Sequence, residues 1–344
     1  MKNILVTGST GFLGIPLVKK LSSLGHNLKL LVRESSDISP FEDLKNIKYI
    51  TGDITDIDSI YEAAENVDII YHLAGYVKIW AKDKKKYDMV NVDGTENAAK
   101  VALDKDILFF YASSFGALGP NPDGQVCDET YQHVDFFQND YERTKFLGKE
   151  VVKDYMNQGL KAIIFYPGFI FGPGDFNIYG EMMFDIVAGQ FLGLPGKGES
   201  LFCMAYIDDV INGMISVIDR DDLIGEGFFL GGENITINDY LNLASEIART
   251  KKPRHFPMWG GVLFARACKL KARLSSKRIP YITPAMIVGM KYNWAFSSKK
   301  ANEKIGYKIT PIREALETTV KWYQDFIEKN GKKKKKIGIR CSLQ

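Results

Sequence analysis

Histidine and cysteine are scarce in this 344-residue chain, four of each, and neither is grouped. Cys127, Cys203, Cys268 and Cys341 lie far apart with no Cys-x-x-Cys pair, and His26, His72, His133 and His255 show no metal-like spacing. That scatter excludes a disulfide framework and a zinc cluster, so no metal is expected and the cytoplasm is the expected setting. No apolar run approaches the roughly 18 residues that a membrane span needs, and Met1 leads straight into a strand-like segment. A soluble protein without an integral membrane segment is the expectation. An excess of one charge is lacking too. The formal charge is +3, but six positive charges lie in Lys332–Lys336 and Arg340, which leaves residues 1–331 at −3. Nucleic acid is a poor partner for a body of that balance.

What the sequence has is alternation. Apolar runs of strand length at Asn3–Thr7, Leu28–Val32, Ile47–Thr51, Asp68–Tyr71, Ile107–Ala112 and Lys161–Tyr166 are separated by segments of helical period. The clearest of these are Phe12–Leu24, Ile57–Ala64, Lys84–Leu103 and Asn139–Asn157. Strands apolar on both faces and joined by crossover helices predict an α/β fold, a doubly wound parallel sheet. After Gly168 the rhythm gives way to Gly- and Pro-rich stretches, with helices predicted over Asn238–Ala248 and Ile312–Glu328. No repeat is present, and the only low-complexity piece is the lysine run.

The first strand feeds into Thr7-Gly8-Ser9-Thr10-Gly11-Phe12-Leu13-Gly14 and then a helix. Glycines at this spacing permit a tight turn, close approach of backbone to a pyrophosphate, and close packing of helix on strand. The helix N-terminus that follows offers N–H groups to phosphate. Gly8, Gly11, Phe12, Leu13 and Gly14 are therefore candidate dinucleotide contacts. Beyond the second strand stands Arg33, at the place where an acidic residue would take a ribose hydroxyl and an arginine a 2′-phosphate. NADP(H) is favoured; NAD(H) stays open, because Glu34 is adjacent.

Tyr141 and Lys145 are four residues apart on a predicted helix, hence on one face. A phenol is a weak base at neutral pH, and a neighbouring ammonium favours its ionised form. Tyr141 can then exchange a proton with an alcohol or an alkoxide while hydride moves at a nicotinamide. The fifth strand runs out into Ser113-Ser114, and ligands of such sheets bind beyond the carboxyl ends of the strands. Ser114 is the candidate for bonding the substrate oxygen.

With these residues assembled, residues 1 to about 326 resemble an extended short-chain dehydrogenase/reductase, of the NAD-dependent epimerase/dehydratase family. The resemblance implies a Rossmann domain at 1–168, a smaller C-terminal substrate lobe at 169–330 with segments returning to the first domain, and a homodimer. The basic tail at 331–344 is expected to be disordered. By the same resemblance Asp53 and Ile54 hold the adenine, Leu73 and Ala74 of His72-Leu73-Ala74 line the cofactor, and Asn91-Val92-Asp93-Gly94-Thr95 matches a family segment. Pro167-Gly168 falls beside the nicotinamide, and Ser114, Tyr141 and Lys145 take the catalytic places. The subgroup most resembled is that of dihydroflavonol 4-reductase-like proteins and hopanoid-associated sugar epimerases, through Val77-Lys78-Ile79-Trp80, Phe115–Gly119, Tyr206–Val210 and Leu230–Asn234.

Departures from the family pattern separate its chemistries. Phe115 and Gly116 stand where dehydratases carry an Asp-Glu pair, Leu201–Ala205 lacks an arginine for a nucleotide-sugar diphosphate, and Tyr166 replaces another. The leading expectation is an NAD(P)(H)-dependent oxidoreductase that interconverts a ketone or aldehyde and an alcohol on a small apolar or phenolic substrate. An epimerase with retained cofactor is the alternative, and a non-catalytic NADP(H) sensor a further one. Asp208-Asp209 reads as a helix N-terminus before Val210–Ile218. Trp259–Leu274 mixes apolar and basic residues; it reads as a lobe helix with a basic solvated face, or as a helix lying on a membrane surface.

Overall fold

The computed structural model describes residues 1–332 apart from 79, 123, 134–135, 275–279 and 281. Ile79 of the Val77–Trp80 segment and nearly all of the lysine-rich tail thus lie outside the described residues. The first half of the chain runs β1 (Asn3–Thr7), α1 (Gly14–Ser23), β2 (Asn27–Val32), β3 (Ile47–Thr51), α2 (Ile57–Ala63), β4 (Ile69–His72) and α3 (Lys85–Asp88). A π-helical turn at Met89–Asp93 leads into α4 (Gly94–Asp104), followed by β5 (Leu108–Ala112), a 3₁₀ turn at Phe115–Ala117, α5 (Asp140–Asn157) and β6 (Ala162–Pro167).

The second half contains β7 (Phe169–Phe171), α6 (Ile178–Val187), β8 (Leu194–Pro195), β9 (Leu201–Tyr206), α7 (Ile207–Ile215), β10 (Gly227–Leu230), β11 (Glu233–Thr236) and α8 (Ile237–Ile247). It ends with β12 (His255–Phe256), α9 (Met258–Arg273), α10 (Pro284–Gly289), α11 (Lys299–Ile305) and α12 (Ile312–Asn330). Seven strands form one sheet in the order β10-β6-β5-β4-β1-β2-β3, every pairing parallel. Small sheets β11-β9-β7 and β12-β8 complete the strands among the described residues.

The sheet is Rossmann-like because its strands bury both faces. On β1, Ile4 and Val6 pack with Leu17 and Leu21 of α1 and Val210 of α7, while Leu5 points the other way, among Ile60, Ala98 and Val152 from α2, α4 and α5. Strand order reverses between β1 and β4, and the crevice at that switch point opens at the carboxyl ends of both. In α7, Asp208 and Asp209 occupy the first turn, and Asp209 also accepts from the Thr310 N–H at 2.8 Å and hydroxyl at 2.7 Å, tying the start of α7 to the segment before α12.

The stretch expected as one regular helix, Lys84–Leu103, is interrupted by the π turn. There α5 seats tightly: a methyl on Gly148 would lie 2.5 Å from the Asn91 carbonyl oxygen and 2.7 Å from the Tyr111 hydroxyl. Alanine gains about 1 kcal/mol over glycine in a helix, but overpacking costs about 1–3 kcal/mol, and a backbone carbonyl cannot swing aside. Gly148→Ala is therefore expected to lower the unfolding midpoint in urea, reversing the usual sign for a helical Gly→Ala change.

Candidate active site

At the switch point Gly8 adopts φ +72°, and a side chain there would start 2.6 Å from the Ala74 nitrogen. Glycine is required on both counts, backbone sign and space. The Gly11 N–H donates to the Gly8 carbonyl at 3.1 Å, and α1 begins at Gly14 with no side-chain cap, its Ile15 N–H donating back into the turn to the Gly11 carbonyl at 3.0 Å. Phe12 and Leu13 are half-buried beside it. The Ser9 hydroxyl is buried in this turn without a hydrogen-bond partner. A cradle too tight for side chains, at the positive end of α1, and an unpaired buried hydroxyl fit a dinucleotide pyrophosphate.

A chain of hydrogen bonds runs from this turn toward α5. The Ala74 N–H donates to the Thr7 hydroxyl at 3.3 Å, which lies 2.9 Å from His72 Nδ1; His72 Nε2 lies 3.3 Å from the Thr95 hydroxyl, which donates to the Asn91 carbonyl at 2.9 Å. Because Thr95 gives its proton to Asn91, it accepts from Nε2–H, and Nδ1 accepts from Thr7. Burial, and then the Lys145 charge, lower the His72 pKa to about 3, so the ring is neutral and its role is positional. The Asn91 side chain accepts from the Tyr76 N–H at 2.6 Å and donates to the Thr144 hydroxyl at 2.9 Å.

On the adenosine side, Arg33 is exposed just past β2, its N–H donating to the Ser36 hydroxyl at 3.2 Å. Lys78 joins it: burial lowers the Lys78 pKa, and the charges of Lys86 and Arg33 lower it further. Lys78 was legible only as part of a family segment, since nothing in the sequence pairs it with a residue 45 positions earlier. Asp53 accepts from the Thr55 N–H at 3.0 Å and hydroxyl at 2.9 Å, and Ile54 is buried against Gly94. Leu73 donates its N–H to the Thr7 carbonyl at 3.1 Å, and Pro167 closes β6.

Ser114, Tyr141 and Lys145 converge beyond the end of β5. Ser114 is buried at the start of the 3₁₀ turn and accepts from the Gly116 N–H at 3.1 Å, its hydroxyl near enough to the Tyr141 phenol to act on that group's pKa. Asn139 caps α5 through the Glu142 N–H at 2.9 Å, which sets Tyr141 in the first turn, half-buried. One turn on, buried Lys145 donates to the Ala112 carbonyl at 2.8 Å, its Nζ 5.0 Å from the Tyr111 ring centroid. Burial lowers its pKa to about 7. The Tyr141 phenol is raised by burial, and the group that pulls it back is Ser114. The sequence assigned that pull to Lys145; here the ammonium is engaged by the strand-end carbonyl instead.

The wall beside Ser114 is aromatic. Phe115 stacks on Phe169 at 3.8 Å and meets Trp294 edge-on at 5.3 Å, while Phe169 also packs on Tyr179 at 5.3 Å and Phe202 at 4.7 Å. Tyr179 lies close enough to Tyr141 for the phenol charges to interact. Trp294 and Tyr179 were not legible as neighbours of the site, because both come from segments whose fold is set by long-range packing.

A family model described as the NAD dependent epimerase/dehydratase family matches residues 4–231. The chain belongs to this family. Its fold is that of the extended short-chain dehydrogenase/reductases. Among its relatives in the family is a putative dihydroflavonol 4-reductase of Synechocystis sp., 28% identical over 331 residues, covering 93% of this chain and 94% of the relative. The sterol demethylase protein B of Methylococcus capsulatus is 29% identical over 330 residues, covering 93% and 98%. The crystal structure of gox2253 superposes with a TM-score of 0.79 at 32% identity, covering 95% of this chain and 99% of that one.

Lys145 holds its proton less tightly folded than unfolded, so while charged it works against the fold. Its contribution makes stability rise with pH from about 7 toward the ordinary lysine value of 10.5. Comparing urea unfolding of wild type and Lys145→Met at pH 7 and pH 9 should show a smaller rise in the variant; parallel curves would contradict the burial of a titrating ammonium.

Proposed function

We propose that this protein is an NADP(H)-dependent oxidoreductase interconverting a ketone or aldehyde and an alcohol on an apolar, ring-bearing substrate. The observation that carries the reading is the buried Ser114 hydroxyl beside the Tyr141 phenol, with Lys145 buried one turn below and an aromatic wall next to Ser114. Gly8, Gly11, Phe12, Leu13 and Gly14 would hold the pyrophosphate; Asp53, Ile54, Leu73 and Ala74 would line the adenosine side; and Pro167, Tyr141 and Lys145 would border the nicotinamide and its ribose. When bound, the cofactor supplies or accepts a hydride. Tyr141 gives its proton to the carbonyl oxygen during reduction and takes one from the hydroxyl during oxidation. Ser114 donates a hydrogen bond to that oxygen as its charge changes. Lys145, buried one turn below, would hold the hydroxyls of the nicotinamide ribose when the cofactor is bound.

Phe115, Gly116, Tyr166 and the buried strand β9 offer no charged group to a diphosphate or to a dehydration step, which favours this reading over nucleotide-sugar chemistry. Relatives named for a dihydroflavonol and a sterol support a ring-bearing substrate. Stoichiometric consumption of NADPH, followed by nicotinamide absorbance with a panel of cyclic ketones, tests the reading against an epimerase, which returns its hydride. In that assay Tyr141→Phe is expected to lower kcat by roughly 10²–10⁴-fold with NADPH binding retained; an unchanged kcat removes the proton-transfer role.

The preference for NADP(H) rests on Arg33 and Lys78 together. Arg33, just past β2, and Lys78, in the loop after β4 and near enough for the two charges to interact, favour a 2′-phosphate over a ribose hydroxyl. Arg33→Ser with Lys78→Ser should raise KM for NADPH by roughly 10-fold or more while leaving KM for NADH nearly unchanged. An equal loss for both cofactors would place these cations elsewhere than at the 2′-phosphate.

A further inference from the structure

Helix α9 is turned inside out relative to an ordinary lobe helix. Its buried residues are the small ones, Gly261, Ala265 and Ala272, and a methyl on Gly261 would lie 2.7 Å from Pro195 and 3.3 Å from Ile287. On the opposite side Trp259, Leu263, Leu270 and Leu274 are 70%, 55%, 59% and 81% exposed. At 3.6 residues per turn those four fall within an arc of about 60°. Arg266, Lys269 and Arg273 follow one edge of the stripe and Lys271 the other, and none of the four forms an ion pair among the described residues. The setting is uniformly basic: residues 247–302 contain thirteen Lys or Arg and no Asp or Glu, in a body whose residues 1–331 are net negative.

We propose that α9 lies on an anionic lipid surface, its Trp-Leu stripe in the boundary between headgroups and acyl chains and its cations among the phosphates. An apolar stripe bounded by cations, on a helix of 16 residues, about 24 Å long, is the pattern of an interfacial helix. Trp is the side chain suited to that depth, and each Lys or Arg near an anionic leaflet adds attraction. A second copy of this chain is a worse occupant, because pairing two such stripes would bring their basic edges together. The chain still holds no helix, among the described residues, long and apolar enough to cross a membrane. The contact is peripheral.

The position also suits the site. Ile287 of α10 packs against α9; α10 ends at Gly289, whose carbonyl accepts from Trp294 Nε1 at 3.3 Å, and Trp294 meets Phe115 beside Ser114. One layer thus separates the lipid-facing helix from the aromatic wall. This deepens the reading of an apolar substrate by giving it a source, and lipid binding can be measured without any turnover.

The test is co-sedimentation of the full-length protein with vesicles of phosphatidylglycerol and phosphatidylcholine, alongside vesicles of phosphatidylcholine alone. Binding is expected to the anionic vesicles, to weaken as salt is raised, and to fall by at least ~10-fold in both Leu263→Ser/Leu270→Ser and Arg266→Glu/Arg273→Glu. All four side chains are exposed, so melting temperature and NADPH binding should stay at wild-type values and certify the fold. Three results would overturn the proposal. They are no binding by wild type, binding unchanged in both variants, or binding lost only when Lys332–Lys336 are replaced by serine. Self-association in vesicle-free solution that the Leu263→Ser/Leu270→Ser variant abolishes would assign the stripe to a protein contact and overturn it as well.

Discussion

Lys145 Nζ sits 2.8 Å from the Ala112 carbonyl at the end of β5, shielded from water, and a cation in such a place has to be compensated by its surroundings. Among the described residues one strand-end oxygen and the face of Tyr111 are what it has, and burial leaves the proton weakly held. The placement depends on α5 lying hard against the sheet, which depends in turn on Gly148 meeting the Asn91 backbone and on Asn139 starting the helix where it does. Tyr141 and Ser114 inherit their positions from that seating. A group that binds at the crevice with hydroxyls or negative charge near Lys145 would restore the proton, which couples ligand occupancy to the acid-base state of the site.

The same economy of polar groups governs the link between the two ends of the crevice. Thr7, His72, Thr95 and Asn91 each satisfy a partner, so that the pyrophosphate turn and the catalytic helix are joined by directed bonds through the interior. A neutral His72 serves because it donates from one nitrogen and accepts at the other. Protonated, it would break the direction of the chain and add a second buried charge near Lys145. The π turn at Met89–Asp93 belongs to this arrangement: it turns the Asn91 side chain to Tyr76 and Thr144 while its carbonyl faces Thr95.

Elements were legible where local chemistry sufficed. The six strands read from sequence recur within a residue or two of their observed bounds, because runs such as Ile4–Val6 and Phe109–Tyr111 are apolar on both faces and have no solvated alternative. Helix α5 was legible through its capping asparagine and its period. The interruption before Gly94 was not, since residues 84–103 carry an unbroken helical pattern and the extra residue per turn answers to contacts with α5. Arg33 and Lys78, and likewise Phe115 and Trp294, come together across 45 and 179 positions, a proximity that no local pattern encodes.

The sequence by itself therefore determined the parallel sheet, the glycine turn at its first crossover and the presence of a serine, a tyrosine and a lysine at consecutive stages of the same edge. Those features follow from residue-level preferences: β-branched and aromatic runs for buried strands, glycine for positive φ, and helical spacing for a shared face. Only the tertiary structure decided that Ser114, and not Lys145, is the group that pulls on the Tyr141 phenol, that aromatic rings from five segments wall the site, and that α9 turns its leucines outward. Each of these depends on how closely distant surfaces approach and on how little water remains between them, which is a property of packing and not of any local stretch of chain.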